Sequence, residues 1–268
     1  MLAKCKRSRP KFPLLEADHF RRILCPEEAT AFTLTKDELE HLIFKPQAAC
    51  RPNEFRRYLS GVCLQTYDDE LRGVGTDGQI LIKHAIERPM MDDLSVILPY
   101  HAIDVLKKHL TGDEAVQISI ANGRARFAVA DGQVTTALIN ESFPQHDALL
   151  NGRDPVTQKL PLEEAIAVVD RVTCVSDDKM IGVFPHEEGI KIALVGKSIT
   201  KNSDIIPADD PIQFTPVAFT QRLLGVALSS CSGDDIDLKF SGPEQPHYVA
   251  DPDNPRNIRM RMPARVRL

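Results

Sequence analysis

Gly73-Val74-Gly75-Thr76-Asp77-Gly78 spells G-x-G-x-x-G, the spacing that cradles a dinucleotide. That chemistry requires the glycines to leave a strand and open a helix, so that pyrophosphate meets free helical N–H groups. Here Gln79-Ile80-Leu81-Ile82-Lys83 follows, a strand pattern, so Asp77-Gly78 reads as a hairpin turn. Asp234, Asp235 and Asp237 could gather a metal ion. They follow a Ser/Gly stretch and precede an apolar strand at Leu238–Phe240, which predicts a solvated turn. Cys5, Cys25, Cys50, Cys63, Cys174 and Cys231 contain no C-x-x-C, and the eight histidines are dispersed, so no zinc site is expected. No G-x-S-x-G elbow and no paired carboxylates stand out. Asn140-Glu141-Ser142 fits a glycosylation pattern that has meaning only in a secreted chain. The expectation is a protein without catalysis, metal or cofactor.

Two basic groups remain. Arg56-Arg57-Tyr58 precedes a strand, and two guanidiniums with a phenol on a loop can grip phosphates and stack on a base. They could equally be a surface pair beside a packed tyrosine. Lys4, Lys6, Arg7, Arg9 and Lys11 could form a nucleic-acid arm, but their alternation fits the exposed side of a strand ending at Phe12-Pro13. The net charge of −5 opposes a molecule covered in basic surface, so any nucleic-acid contact must be confined. No apolar run is long enough for a bilayer, and the N-terminus lacks the apolar stretch of a secretory signal. Scattered cysteines then read as reduced thiols in a cytoplasmic protein.

The elements that must position these residues are legible from periodicity. One helix opens at Thr35, with Glu38 at capping-box spacing, and stops at Pro46. A second follows Pro99, with Ala102, Val105, Leu106 and Leu110 as its stripe. A third follows Pro161, with Leu162, Ala165, Ile166 and Val169 on one face. A fourth is expected from Thr215-Pro216, with Phe219, Leu223 and Val226 buried. Alternation at Val116–Ile120, Ala125–Val129 and Val134–Leu138, broken by Asn122-Gly123 and Asp131-Gly132, predicts a three-strand meander. Ile190, Ile192 and Leu194 alternate likewise.

A chain of 268 residues suits two domains. The order of helices and strands repeats, closing on Phe143-Pro144 and again on Met262-Pro263. Phe12-Pro13 is a third such step, so the chain begins like the tail of an earlier unit. The expected divisions are 1–22 as a remnant strand and linker, 23–152 as one domain, and 153–268 as the next. Asn151-Gly152-Arg153-Asp154-Pro155 is the linker between the two domains.

Four segments resemble the bacterial DNA polymerase III β subunit, the sliding-clamp family. Phe55-Arg56-Arg57-Tyr58-Leu59-Ser60-Gly61 is similar to the family's R-x-x-L-N-G, and Thr76-Asp77-Gly78 to its A-T-D-G-H-R-L turn. Ser142-Phe143-Pro144 is similar to G-x-F-P-x-Y, and Met262-Pro263-Ala264-Arg265 to the closing M-P-M-R-L. The resemblance implies an α+β fold, the DNA clamp, with two helices packed on antiparallel sheet in each domain. It matches the family's second and third domains. A three-domain chain of that family makes a ring of six domains from two copies, so two domains would need three copies.

The implied function is topological. A ring around duplex DNA tethers a polymerase and a clamp loader, each held by a short peptide. By resemblance the peptide pocket is lined by Arg56, Leu59, Thr76, Gly78, Leu81, Pro144, Leu149, Met262 and Pro263. Leu59→Lys is then expected to weaken peptide binding without unfolding. The family's His-Arg is Gln79-Ile80 here and its final Met is Ala264, which alters the pocket. Implied DNA contacts are Arg57, Tyr58, Lys107, Lys108, Arg171 and Arg222, although Glu163, Glu164 and Asp170 share a helix with Arg171. Cys174 and Val175 resemble the family's subunit contact, for which an edge of the first complete unit would have to supply the mate. The alternative is a truncated clamp or interaction module that binds such peptides without encircling DNA.

Overall fold

The computed structural model describes residues 11, 13, 16, 30–52, 54–89, 93–110, 112–130, 132–150, 155–175, 180–196 and 201–265. The expected remnant strand, apart from Lys11, Pro13 and Glu16, and the linker at 151–154 lie outside the described residues, as do Cys5, Cys25 and Asp131.

The first half contains strands β1 (Thr30–Leu34), β2 (Gly61–Tyr67), β3 (Glu70–Thr76), β4 (Ile80–Glu87), β5 (Ser95–Pro99), β6 (Val116–Ala121), β7 (Arg124–Val129) and β8 (Gly132–Ala137). Its helices are α1 (36–47), α2 (Tyr100–His109) and the short α3 (Asp147–Leu150). The second half contains β9 (Val156–Pro161), β10 (Met180–His186), β11 (Gly189–Leu194), β12 (Ser203–Pro207), β13 (Val217–Thr220), β14 (Asp235–Phe240), β15 (His247–Asp251) and β16 (Asn254–Arg261). Its helices are α4 (Leu162–Thr173) and α5 (Gln221–Ser229).

Two sheets have four strands, in the orders β1-β6-β7-β8 and β12-β11-β10-β13. The third has eight, in the order β5-β2-β3-β4-β16-β15-β14-β9. This large sheet is two four-stranded arrays joined edge to edge. Its seam is antiparallel, with Ile80, Leu81, Ile82 and Lys83 opposite Arg261, Met260, Arg259 and Ile258. Each half therefore owns two four-stranded arrays enclosing helices, with matching strand orders.

Local chemistry explains the pieces. Thr35 and Glu38 form the capping box that starts α1, with reciprocal bonds of 3.2 and 2.8 Å. Pro46 does not stop this helix; it sits in the last turn, beyond a π-turn over Glu40–Phe44 where the Lys45 N–H reaches back to the Glu40 carbonyl. Proline has no N–H for the Leu42 carbonyl, and the widened turn accommodates the loss. A β-carbon at Gly73 would collide with that carbonyl, and one at Gly75 with the carbonyl of Pro46. These two glycines let a helix backbone lie directly on β3, which accounts for the G-x-G pair without a nucleotide. Gly78 takes φ +87° in the turn between β3 and β4. Asn122 and Gly123, at φ 49° and 70°, make the two-residue turn between Ala121 and Arg124.

Two expectations are corrected. The fourth helix begins at Gln221, because Val217–Thr220 pairs with Met180–Val183 as an edge strand; Phe219 is thus a strand residue. β-branched and aromatic side chains suit that pleated, buried position. On α2 the buried face is Ile103 and Leu106, while Val105 is 43% exposed. At about 100° per residue, Val105 points roughly 200° away from Ile103.

The first half's core gathers α1, α2 and the facing sheets around Leu34, Leu42, Leu64 and Phe127. The second half's core reaches across the seam to include Ala49, Ile80 and Ile82. A third cluster on the opposite face of the seam joins Cys63, Val74, Leu81, Leu150, Tyr248 and Met260. Among the described residues no helix is long and apolar enough to cross a membrane, and no three His, Cys, Asp or Glu side chains converge as metal ligands. Asp235 instead pairs with Lys159 at 2.7 Å.

Candidate functional site

The residues singled out by sequence collect around the seam. On its helical side Asp77 is a hub. Its Oδ1 accepts the amides of Gln79 and Ile80 at 2.9 and 3.0 Å. Its Oδ2 accepts Arg51 Nε at 3.0 Å and Arg222 Nη1 at 2.6 Å. Burial opposes ionisation, but the two amides and the Arg222 guanidinium outweigh it and hold the carboxyl below its usual range. Arg222 belongs to α5 and Asp77 to the β3–β4 turn, so this ion pair pins one half to the other.

A second pin lies farther along. Lys45 Nζ reaches Ser232 Oγ at 2.6 Å and the Cys231 carbonyl at 3.1 Å. His41 bonds Asn257 at 3.0 Å, and Asn257 donates to Asp251 at 3.1 Å. The buried Arg259 meets Asp251 at 2.9 Å, Ser230 Oγ at 3.1 Å and His84 Nε2 at 2.7 Å. Burial, then the neighbouring Arg259 charge, pushes the His84 pKa well down, leaving it a neutral acceptor.

On the other side of the seam are the residues assigned to a peptide. Thr76 Oγ1 donates to the Ile80 carbonyl at 2.7 Å and accepts the Gly78 amide at 3.1 Å. A β-carbon at Gly78 would stand 3.6 Å from Arg56 Nη2. Leu81 faces Met260 in the third cluster, and Tyr248 in the same cluster donates to the Leu149 carbonyl at 2.8 Å. The Met262 amide donates to Gln79 at 2.8 Å and that of Ala264 to Ala218 at 2.7 Å, so the last described segment straps across the seam. Arg56, Gly78, Pro144 and Leu149 are exposed, and Met262 and Pro263 are half-buried.

Leu59, Thr76 and Leu81 are different, at 2, 6 and 3% exposure. They form the support beneath the surface. The expectation for Leu59→Lys is corrected accordingly: a lysine there would bury a charge and destabilise the fold. The Pro144 carbonyl accepts His146 Nδ1 at 3.2 Å, and the adjacent Phe143 packs against the third cluster.

The assigned DNA contacts divide in two. Arg57, Lys107 and Lys108 are exposed, with Lys107 Nζ 4.9 Å from the Phe44 ring centroid. Tyr58 is half-buried against the third cluster, its amide bonded to Glu141 at 3.0 Å. Arg171 is already paired with Glu164 and Asp204, both at 2.7 Å, and Arg222 with Asp77. Arg171 and Arg222, named with the DNA contacts, are thus engaged in ion pairs within the chain. Arg171 meets Glu164 of its own helix and Asp204 of β12, and Arg222 meets Asp77 of the β3–β4 turn.

Cys174 and Val175 are exposed at the end of α4. Asn202 caps that end, bonding the Arg171 and Val172 carbonyls at 2.9 and 3.2 Å, and leads directly into β12. Among the described residues, β12 is an open edge of its sheet and β8 an open edge of the first half's small sheet. Burial raises the thiols of Cys50, Cys63 and Cys231 to about 12, which leaves them inert.

Sequence reasoning missed Arg51, His41, His84, Asp251 and Arg259 as seam residues, and Phe55, which is 96% exposed beside Arg56. Only Phe55 carried a local signal, an aromatic next to two arginines.

Comparison with known proteins agrees with this geometry. Residues 33–145 match the model of the DNA polymerase III beta subunit, central domain. The beta sliding clamp of Caulobacter vibrioides is 24% identical over 275 residues, covering 99% of this chain and 74% of the relative. That of Escherichia coli K12 is 27% identical over 198 residues, covering 72% of this chain and 54% of the relative. The DNA polymerase sliding clamp of Bacillus subtilis superposes with a TM-score of 0.88 at 21% identity, covering 99% of this chain and 72% of that one, which establishes the fold. Residues 33–145 are thus similar to the central domain of the DNA polymerase III beta subunit, and the chain as a whole has the fold of the bacterial sliding clamps.

Proposed function

We propose that this chain is a non-catalytic processivity factor whose copies close head to tail around duplex DNA. The observation that carries the proposal is the seam. Within the chain, the outer strand of one array, β4, pairs with the outer strand of the next, β16. Among the described residues the strands holding those places in the repeat, β12 and β8, have no partner on their outer sides. Pairing β12 of one copy with β8 of the next repeats the same junction, and a heterologous contact of this kind closes into a ring when its rotation permits. With domains at 23–152 and 153–268, three copies supply six. Cys174 and Val175 flank the β12 edge and complete the contact.

Arg57, Tyr58, Lys107 and Lys108 then meet phosphates without reading bases, weakly enough to slide. Arg56, Gly78, Leu149, Met262 and Pro263 form the open wall of a site for the short peptide of a polymerase or clamp loader, over a floor of Leu59, Thr76 and Leu81. Light scattering over a range of concentrations tests closure. A mass of three times 29.8 kDa is the expected result, and a monomer throughout overturns the ring. Leu149→Asp is expected to weaken peptide binding without loss of fold. Arg57→Ala with Lys107→Ala is expected to lower duplex affinity at low salt, with the salt slope falling by about 1.8 if each contacts one phosphate.

A further inference from the structure

Arg259 and Arg261 lie on one face of β16, and both are fully buried. Arg259 has a carboxylate, a hydroxyl, a carbonyl and an imidazole around it. Arg261 has none of these: its Nε, Nη1 and Nη2 are all without a hydrogen-bond partner. Its guanidinium lies 4.4 Å from the centroid of the Phe219 ring. Directly opposite across the β15–β16 pair is the buried His247, whose ring is turned toward the Gly242 backbone carbonyl. Phe219 and Phe240 hold that imidazole by its edges, at 5.5 and 5.8 Å.

A cation–π contact offsets only part of the cost of taking a guanidinium out of water. Among the described residues no carboxylate acts on Arg261; its ionisable neighbours are the Cys231 thiol, which burial keeps protonated, and the His247 imidazole, which burial keeps neutral. Burial lowers Arg261 to about 9, still charged at neutral pH. A buried positive charge with unused donors and no internal counter-charge calls for an anion from outside.

We propose that Arg261 binds a small anion of chloride or carboxylate size inside the seam, beside the neutral His247 ring. The enclosure of both side chains favours a compact anion over an organic phosphate. Arg261 sits opposite Ile80 of β4, so the bound anion ties the two halves together. The strap from Met262 to Ala264, held by its bonds to Gln79 and Ala218, is the movable cover. This inference does not depend on ring closure or on the peptide site.

The test is thermal unfolding of the full chain at constant ionic strength, exchanging sodium gluconate for sodium chloride or sodium formate. At tenfold the dissociation constant, the midpoint is expected to rise by about 3–6 °C and to saturate. Arg261→Met is expected to abolish the dependence. If that variant does not fold, chloride NMR line broadening on the unaltered chain, competed by formate, reads the same binding. Equal midpoints in all three salts, an unchanged response in Arg261→Met, or the absence of competable broadening would each overturn the proposal. The guanidinium would then be tolerated without an anion.

Discussion

The β4–β16 seam and the open edges at β8 and β12 occupy matching places in the repeat, yet they are furnished differently. At the seam, Ile80, Leu81, Ile82, Arg259, Met260 and Arg261 are all buried, with ion pairs reaching across from Asp77 and apolar clusters on both faces. Strand β8 offers exposed Gly132, Gln133 and Ala137 around half-buried Val134, Thr135 and Thr136. Strand β12 carries Asp204, held by Arg171, and ends on Pro207. Charge and proline are what natural edges use to discourage indiscriminate pairing. The seam is built as core, and the two open edges as surface. Opening at the outer edges is therefore expected to cost less than parting the two halves.

Breaking the seam's charge network is expected to have the largest effect. Arg259→Ala strands the buried Asp251 and should cost about 3–5 kcal/mol in urea unfolding, and a loss below about 1 would place the seam's strength elsewhere. Leu59→Lys should cost about 3 kcal/mol in the same assay by burying a charge under the surface wall. Acid should loosen the molecule next. Burial depresses His84 and takes His247 to about 3, so the unfolded chain binds protons that the folded one refuses. Their contribution is intact above the ordinary imidazole pKa and is lost as pH falls below it, by about 2 kcal/mol at pH 5 for His247 and in the same direction for His84. A flat urea midpoint from pH 8 to 5 would contradict that.

Asp77→Asn keeps the shape but weakens two guanidinium bonds, for an expected loss of about 1–2 kcal/mol. Its sign is testable by the same denaturation. Smallest for the fold is Val175→Glu, which should stay within about 0.5 kcal/mol in stability yet abolish self-association in light scattering. Association that survives Val175→Glu would move the intersubunit contact away from the β12 edge.

The sequence announced what is periodic or local. The capping box at Thr35, the Asn122-Gly123 turn and the apolar faces of α1 and α4 are short-range patterns, and each is present in the structure. The helix expected at Thr215 failed because Val217 and Phe219 answer to a distant partner, β10. The site was legible only as far as its surface loops. Arg56 and Gly78 could be picked from their neighbours in the chain. Asp77 with Arg222, and His84 with Arg259, are separated by 145 and 175 residues and meet only through tertiary packing. A lone arginine in a strand gives no hint whether a carboxylate awaits it, as with Arg259, or nothing does, as with Arg261.

The edge-to-edge seam also bears on how the chain comes to be assembled. Strand β4 ends at Glu87, whereas its partner β16 ends at Arg261, so the edge of β4 waits until 174 further residues have been synthesised. Loop closure over that separation is slow compared with the local hairpins on either side. During the wait, β4 of one nascent chain presents a ready template to a finished β16 of another, with the same register and the same side chains. Swapped, open-ended strings of chains are the misassembly this architecture must outrun. Expression at high concentration is where they should first accumulate.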